Sequence, residues 1–172
     1  MTRKLLSLLA LTLLIQGCAS TYVEPSEGPR AKIRFVSYTS AGYGNINVYS
    51  YEAEDCKTGE AHVAALAGLA ISHHRKKLGI PLGNEFDERY FTEIYINAGR
   101  PYIFSMGLLS RQKPACYVTM TFEPMENQMY EASYRATSAG CWMDVKRIKN
   151  ESGNYSRTPE NTTRNSAMQC RP

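Results

Sequence analysis

Short segments in which apolar and polar residues alternate recur along most of the chain, and this pattern constrains the fold more than any other feature. In residues 30–38, Ile33 and Phe35 alternate with Lys32 and Arg34, as in a strand with one buried and one solvated face. Further strand patterns, separated by turn residues, occupy 45–52, 90–97, 102–109, 116–123, 128–136 and 141–148. About seven short strands at such spacing predict a mainly β fold, an Ig-like β-sandwich.

One segment has a different period. Val63, Leu66 and Ala70 recur at helical spacing, and Pro81 follows at a position where a helix could not continue. We therefore expect one helix, inserted into the sandwich near residues 58–78.

The end of the chain is polar. Residues 150–172 contain too few apolar side chains to form a packed core. The sandwich domain is therefore expected to span residues 30–149, and residues 150–172 are expected to form a polar C-terminal tail.

The beginning of the chain has the order of an export signal. Arg3 and Lys4 precede an apolar run over residues 5–15, and the small residue Gly17 follows it. The run is shorter than the roughly 20 residues that a spanning helix needs. Residues 1–17 are therefore predicted to be a cleaved signal peptide.

The four residues Ile15-Gln16-Gly17-Cys18 resemble a bacterial lipobox. The resemblance implies cleavage before Cys18, a diacylglycerol thioether on its sulfur, and acylation of the new amino terminus by a fatty acid such as palmitate. Two or more lipid chains anchor a protein stably. Ala19 follows the cysteine where an acidic residue would favour the inner membrane, so the resemblance implies an outer-membrane lipoprotein whose domain faces the periplasm.

The segment after the cysteine is expected to be a tether. Residues 18–29 combine two prolines, a glycine and small polar residues, a composition that favours an extended, non-helical chain. We expect this tether to hold the domain off the membrane surface.

The cysteine count fits export. Of the five cysteines, Cys18 would carry lipid, and four remain: Cys56, Cys116, Cys141 and Cys170. In an oxidising compartment an even set favours disulfides, and four cysteines allow three connectivities. Zinc is the competing interpretation, but no pair has C-x-x-C spacing and no histidine lies near a pair.

Strand geometry restricts one pairing. Cys116 and Cys141 begin the first and third strands of a predicted three-strand meander. Within one flat sheet about 9.6 Å would separate their backbones, whereas a disulfide needs α-carbons within about 7 Å. The two can therefore pair only if their strands lie in opposite sheets, and we prefer this pairing together with Cys56–Cys170.

Three stretches of the mature chain are distinctive: "YVEPSEGPRAKIRF", "EIYINAGRP" and "CYVTMTFEP…MYEASY…CWMDV". Together they resemble small, uncharacterised bacterial lipoproteins that place a Gly-Pro tether before a first strand and end in a Cys-bearing β meander. The resemblance covers most of the mature chain, and it implies no activity.

No pattern in the chain indicates catalysis. There is no Gly-x-Ser-x-Gly nucleophile elbow and no glycine-rich phosphate loop. The histidines, at 62, 73 and 74, are not spaced to share a metal ion. We therefore expect no enzyme activity, no cofactor and no metal site.

The net charge of the chain argues against nucleic-acid binding. Removal of Arg3 and Lys4 with the signal peptide lowers the formal net charge from +4 to +2. A nearly neutral protein lacks the large basic field that nucleic acid binding requires.

Tyrosine is the one residue type in excess, with twelve in the chain. Tyr49 and Tyr51, in the second predicted strand, are candidate ligand-binding residues, because an exposed tyrosine ring on a sheet contacts a sugar or a protein well. The alternative is that tyrosine simply favours strands.

The expected function is therefore a structural or binding role in the cell envelope, with the membrane bound through Cys18 and an envelope protein or glycan as partner. A module that binds peptidoglycan or lipopolysaccharide is the alternative. An envelope hydrolase is a third hypothesis, which would need a polar cleft.

Overall fold

The computed structural model describes residues 21–38, 45–52, 59–66, 76–109 and 116–165. The described strands are β1 Arg30–Ser37, β2 Asn45–Tyr51, β3 Ala61–Leu66, β4 Phe91–Asn97, β5 Tyr102–Leu109, β6 Cys116–Phe122, β7 Met129–Thr137, β8 Gly140–Glu151, β9 Asn154–Pro159 and β10 Thr163–Asn165. Two 3₁₀ turns, Gly83–Glu85 and Glu88–Tyr90, precede β4.

The strands form two five-stranded sheets. Sheet I has the order β4-β1-β7-β8-β9, and sheet II has the order β10-β6-β5-β2-β3. The pairing of β1 with β7 is parallel, whereas the other strand pairs are antiparallel. The prediction of a mainly β sandwich is confirmed.

The core lies between the sheets, where alternate residues of both inner faces meet. Phe35 of β1 packs edge-on against Phe104 of β5 at 5.3 Å, and Phe122 of β6 packs edge-on against Tyr130 of β7 at 5.0 Å. Phe35, Phe104 and Tyr130 are fully buried. Burial of one such side chain contributes about 1.5–3 kcal/mol, so these rings hold the sheets together.

A disulfide crosses the core. Cys116 begins β6 in sheet II, and Cys141 lies at the start of β8 in sheet I; their sulfurs are 2.10 Å apart and their α-carbons 6.1 Å apart. The preferred pairing of Cys116 with Cys141 is therefore confirmed. Cys18, Cys56 and Cys170 lie outside the described residues.

The predicted meander of β6, β7 and β8 is wrong in one respect. The chain leaves sheet II after β6 and enters sheet I, where β7 pairs with both β1 and β8. Backbone hydrogen bonds from Asn127 to Arg30 (2.8 Å) and from Lys32 to Gln128 (3.0 Å) fix this crossing. Alternation in a sequence shows which residues face inward, but it does not show which strands pair.

The prediction of a helix near residues 58–78 is wrong for the described residues of that segment. Ala61–Leu66 is strand β3, paired with β2 at the edge of sheet II. An irregularity in the register lies beside Val63, so that Val63 and Ala64 are both buried although they are adjacent. A bulge of this kind breaks the alternation of a strand, which explains why the pattern resembled a helix. Residues 67–75 lie outside the described part.

The prediction that residues 150–172 form a polar tail is wrong for residues 150–165. Strand β8 continues to Glu151, β9 extends sheet I, and β10 pairs with β6 in sheet II. Both strands are largely exposed, so backbone hydrogen bonding and ion pairs hold them in place rather than apolar burial. One such pair joins Arg147 to Glu160 at 2.7 Å. Residues 166–172 lie outside the described part.

The described part of the predicted tether packs against the sandwich instead of standing free. The Tyr22 amide donates to the His62 carbonyl (3.0 Å), and the Tyr22 hydroxyl donates to the Tyr95 carbonyl (3.1 Å). The Glu24 carboxylate accepts from the Tyr95 amide at 2.9 Å. Because His62 lies in β3 and Tyr95 in β4, this segment connects the edges of the two sheets.

Candidate functional site

The outer face of sheet I carries a buried row of charges, named here the charged cluster: Glu93, Arg34, Glu131 and Arg157. Arg34 lies between two glutamates, with Nη2 at 2.8 Å from Glu93 and Nη1 at 3.1 Å from Glu131. Arg157 donates to the other side of Glu131 at 2.9 Å and 3.1 Å. The side chains of Arg34, Glu93 and Glu131 are at most 2% exposed.

The loop before β4 covers this cluster. Arg34 donates to the carbonyls of Ile80 and Pro81, and Glu93 accepts from the amide of Ile80 at 3.2 Å. Gly83 lies so close that a Cβ there would be 2.6 Å from Arg34 Nη2. Because the Arg34 guanidinium and both glutamates are hydrogen-bonded, the charged cluster holds the loop on the sheet.

The half of sheet I that the loop leaves uncovered contains a pocket of about 500 Å³. We name it the aromatic pocket; its lining residues are Tyr38, Ser133, Arg135, Thr137, Trp142, Asp144 and Lys146.

Strand pairing positions these side chains. In the ladder of β7 and β8, Arg135 lies opposite Trp142 and Ser133 lies opposite Asp144. Tyr38 follows β1, and its amide donates to the carbonyl of Tyr134 at 2.9 Å. Since alternate residues of a strand share one face, most of the pocket lining projects from the same face of the sheet.

Two aromatic rings of the pocket are open to solvent. Trp142 is 44% exposed and Tyr38 is 50% exposed. The Tyr38 ring is braced edge-on by Phe86 at 5.7 Å, and the Arg135 guanidinium lies 5.5 Å from its centroid. Partial burial, reinforced by the charge of Glu131, raises the pKa of Tyr38, which favours the neutral hydroxyl.

The charges of the pocket differ from those of the charged cluster. Arg135 and Asp144 are exposed and Lys146 is half-buried, and none of the three forms an ion pair within the described part of the chain. Both signs of charge are therefore available to a ligand beside two open rings.

The tyrosines predicted as binding residues lie elsewhere, on the outer face of sheet II. Tyr51 is only 5% exposed, and its hydroxyl lies 3.0 Å from that of Ser105. Burial raises the Tyr51 pKa to about 12. Tyr49 is half-buried, with its ring edge-on to His62 at 5.3 Å. Neither residue lines the aromatic pocket.

Tyr51 does line a second cleft, of about 640 Å³, together with Tyr22, Arg100 and Tyr102. Tyr51 and Tyr102 are both buried. This cleft therefore presents little open aromatic surface, and the aromatic pocket is the better candidate site.

Sequence reasoning missed the aromatic pocket, although one observation could have indicated it. Trp142 is the only tryptophan in the chain, and it alternates with Cys141 and Met143, both of which are buried. The alternation places Trp142 on the outer face, where its large ring is available for a contact.

Metal and membrane-spanning features are not found in the described part of the chain. Its His, Cys, Asp and Glu side chains form no group of three or more that could hold a metal ion. Among the same residues no helix is long and apolar enough to cross a membrane.

This chain was compared with protein-family models, with curated proteins and with solved structures, and nothing in the three comparisons matches it.

Proposed function

We propose that the protein is a lipid-anchored protein of the bacterial outer membrane that binds an envelope glycan in the aromatic pocket. The observation that carries the proposal is the pair of exposed rings, Trp142 and Tyr38, beside charged groups that form no ion pair with any described residue. A role as a scaffold for an envelope protein is the alternative.

The chemistry of the pocket suits a sugar. An aromatic ring offers a flat apolar surface to the C–H face of a pyranose, and it orders at low entropic cost. The Asp144 carboxylate accepts hydrogen bonds, the Arg135 guanidinium donates them, and the Tyr38 and Thr137 hydroxyls do both. Sites of this kind combine an apolar surface with a few placed polar groups.

The position of the pocket suits an anchored protein. Tyr22 contacts Tyr95, which pairs with Lys32 near the start of β1. Tyr38 lies six residues beyond Lys32, about 20 Å further along the strand direction. A domain anchored at Cys18 would therefore present the pocket at the end remote from the lipid.

The anchor is tested by fractionation. We expect wild-type protein to stay with outer membranes after washing, and Cys18→Ala to move to the soluble fraction. Unchanged fractionation of Cys18→Ala would contradict lipid anchoring.

The pocket is tested by sedimentation of the purified protein with peptidoglycan sacculi. We expect the wild type to sediment and Trp142→Ala to remain in solution. Tyr155→Ala is the matched control, because Tyr155 is 41% exposed but does not line the pocket. Equal losses for both variants would indicate non-specific adhesion, and no loss for Trp142→Ala would contradict binding in the pocket.

A further inference from the structure

The aromatic pocket has a charge pattern that narrows the class of its ligand. We infer that the ligand is an acidic glycan, an inference that rests on the proposed function. Trp142 stacks on a sugar ring, and Arg135 binds a carboxylate of that sugar.

The first argument is the charge of the pocket. Arg135 and Lys146 are cationic and Asp144 is anionic, so the lining carries a formal net charge of one positive unit. Asp144 lies two positions from Lys146 on β8, about 7 Å along the strand, and diagonally across the ladder from Arg135, at a similar separation. One carboxylate therefore faces two cations, and the pocket keeps a net positive charge.

The second argument is the contrast with the charged cluster. There the guanidinium of Arg34 is surrounded by carboxylates and carbonyls of the protein itself. Arg135 lies on the same face of sheet I, four residues beyond Glu131 on β7. It has no carboxylate partner within the described part of the chain, and its guanidinium contacts the Tyr38 ring. Its hydrogen-bond donors therefore remain available.

The third argument is geometry. Arg135 pairs directly with Trp142 across the ladder, and side chains of directly paired residues have Cβ atoms about 4.5–5.5 Å apart. A pyranose that stacks on Trp142 therefore places a ring substituent within reach of the guanidinium. The planar fork of an arginine matches a carboxylate with two parallel hydrogen bonds.

Trp142 reports directly on this pocket, because the chain contains no other tryptophan. The experiment is a fluorescence titration of the full-length protein in detergent with two soluble probes. One is tetragalacturonic acid, which carries carboxylates, and the other is tetra-N-acetylchitotetraose, which is neutral.

We expect the acidic probe to bind more tightly than the neutral one. Arg135→Gln should raise the Kd of the acidic probe about 10- to 100-fold, the effect of losing a hydrogen bond between charged groups, and should leave the Kd of the neutral probe nearly unchanged. Arg135→Lys keeps the charge but loses the fork, so its Kd should be intermediate. Arg164→Gln removes an equal charge from an exposed position on sheet II, and it should change neither Kd.

Two results would overturn the inference while leaving glycan binding intact. One is a neutral probe that binds as tightly as the acidic one, and the other is an Arg135→Gln variant that weakens both probes equally or neither. If neither probe changes the fluorescence and sacculi do not sediment the protein, the proposed function itself fails. Thermal unfolding of each variant shows that it is folded.

Discussion

The charged cluster predicts that Arg34→Met destabilises the sandwich far more than removal of a surface arginine does. The variant keeps a long apolar side chain but removes a cation that is fully buried between Glu93 and Glu131. The two glutamates respond differently. Glu131 keeps its two hydrogen bonds from Arg157. Among the described residues, Glu93 keeps only those from the backbone amides of Leu78 and Ile80.

The expected magnitude follows from this difference. Removal of one partner from a buried ion pair costs about 3–5 kcal/mol, because a charge is left without compensation. The free energy of unfolding of a domain is about 5–15 kcal/mol, so the variant should lose a large fraction of its stability. Arg34→Met/Glu93→Gln removes both charges and should recover part of the loss.

The assay is urea unfolding with the disulfide intact, and stability is taken from the midpoint at constant m-value. The matched control is Arg89→Met. Arg89 pairs with Asp87 at 2.7 Å, but both side chains are about half exposed, and exposed pairs contribute little to stability. An Arg34→Met variant that loses no more than the Arg89→Met variant would refute the reasoning.

Three further predictions concern the loop, the disulfide and a buried tyrosine. Gly83→Ala should cost about 1–3 kcal/mol in urea unfolding, because a Cβ would meet the immobilised Arg34 guanidinium at 2.6 Å; a neutral effect would show that the loop is not held there. Cys116→Ala/Cys141→Ala should lose about 3.5 kcal/mol, the chain-entropy effect of a crosslink over 25 residues, and an unchanged thermal midpoint would contradict it. The neutral form of Tyr51 is favoured in the fold, where its pKa is about 12 instead of 10.0, so stability should fall as pH rises from 10 towards 12, and Tyr51→Phe should flatten that part of the pH profile.

The sequence was sufficient for features that depend on local alternation. Ile33 and Phe35 alternate with Lys32 and Arg34, and strand β1 lies where this pattern occurs. The prediction that the other face is solvated is wrong for Arg34, which is fully buried. Spacing limits also predicted that Cys116 and Cys141 could pair only across two sheets, and they do so.

Alternation misleads, however, when a strand departs from ideal geometry or carries few apolar residues. Val63 and Ala64 are both buried at a bulge in β3, so the period of the strand is lost in the sequence. Strand β9 is polar and largely exposed, and it forms because the edge of β8 offers unpaired backbone groups. Neither fact is visible in a local window of residues.

The candidate site depends even more on tertiary structure. Arg34 has the same outward direction as Arg135, but only Arg34 lies under the loop before β4. Tyr51 and Tyr38 are both strand-associated tyrosines, yet only Tyr38 is open to solvent. Which charges and rings remain available is decided by what covers the sheet, and this is a property of long-range packing.

The central claim, that an envelope glycan occupies the aromatic pocket, is tested most directly by acrylamide quenching of Trp142 with and without soluble glycan strands released from purified sacculi. Since Trp142 is the only tryptophan and is 44% exposed in the free protein, a stacked sugar should shield it, and we expect the quenching constant to fall severalfold at saturating glycan. A quenching constant that does not change while the protein still sediments with sacculi would place the binding surface elsewhere and contradict the account.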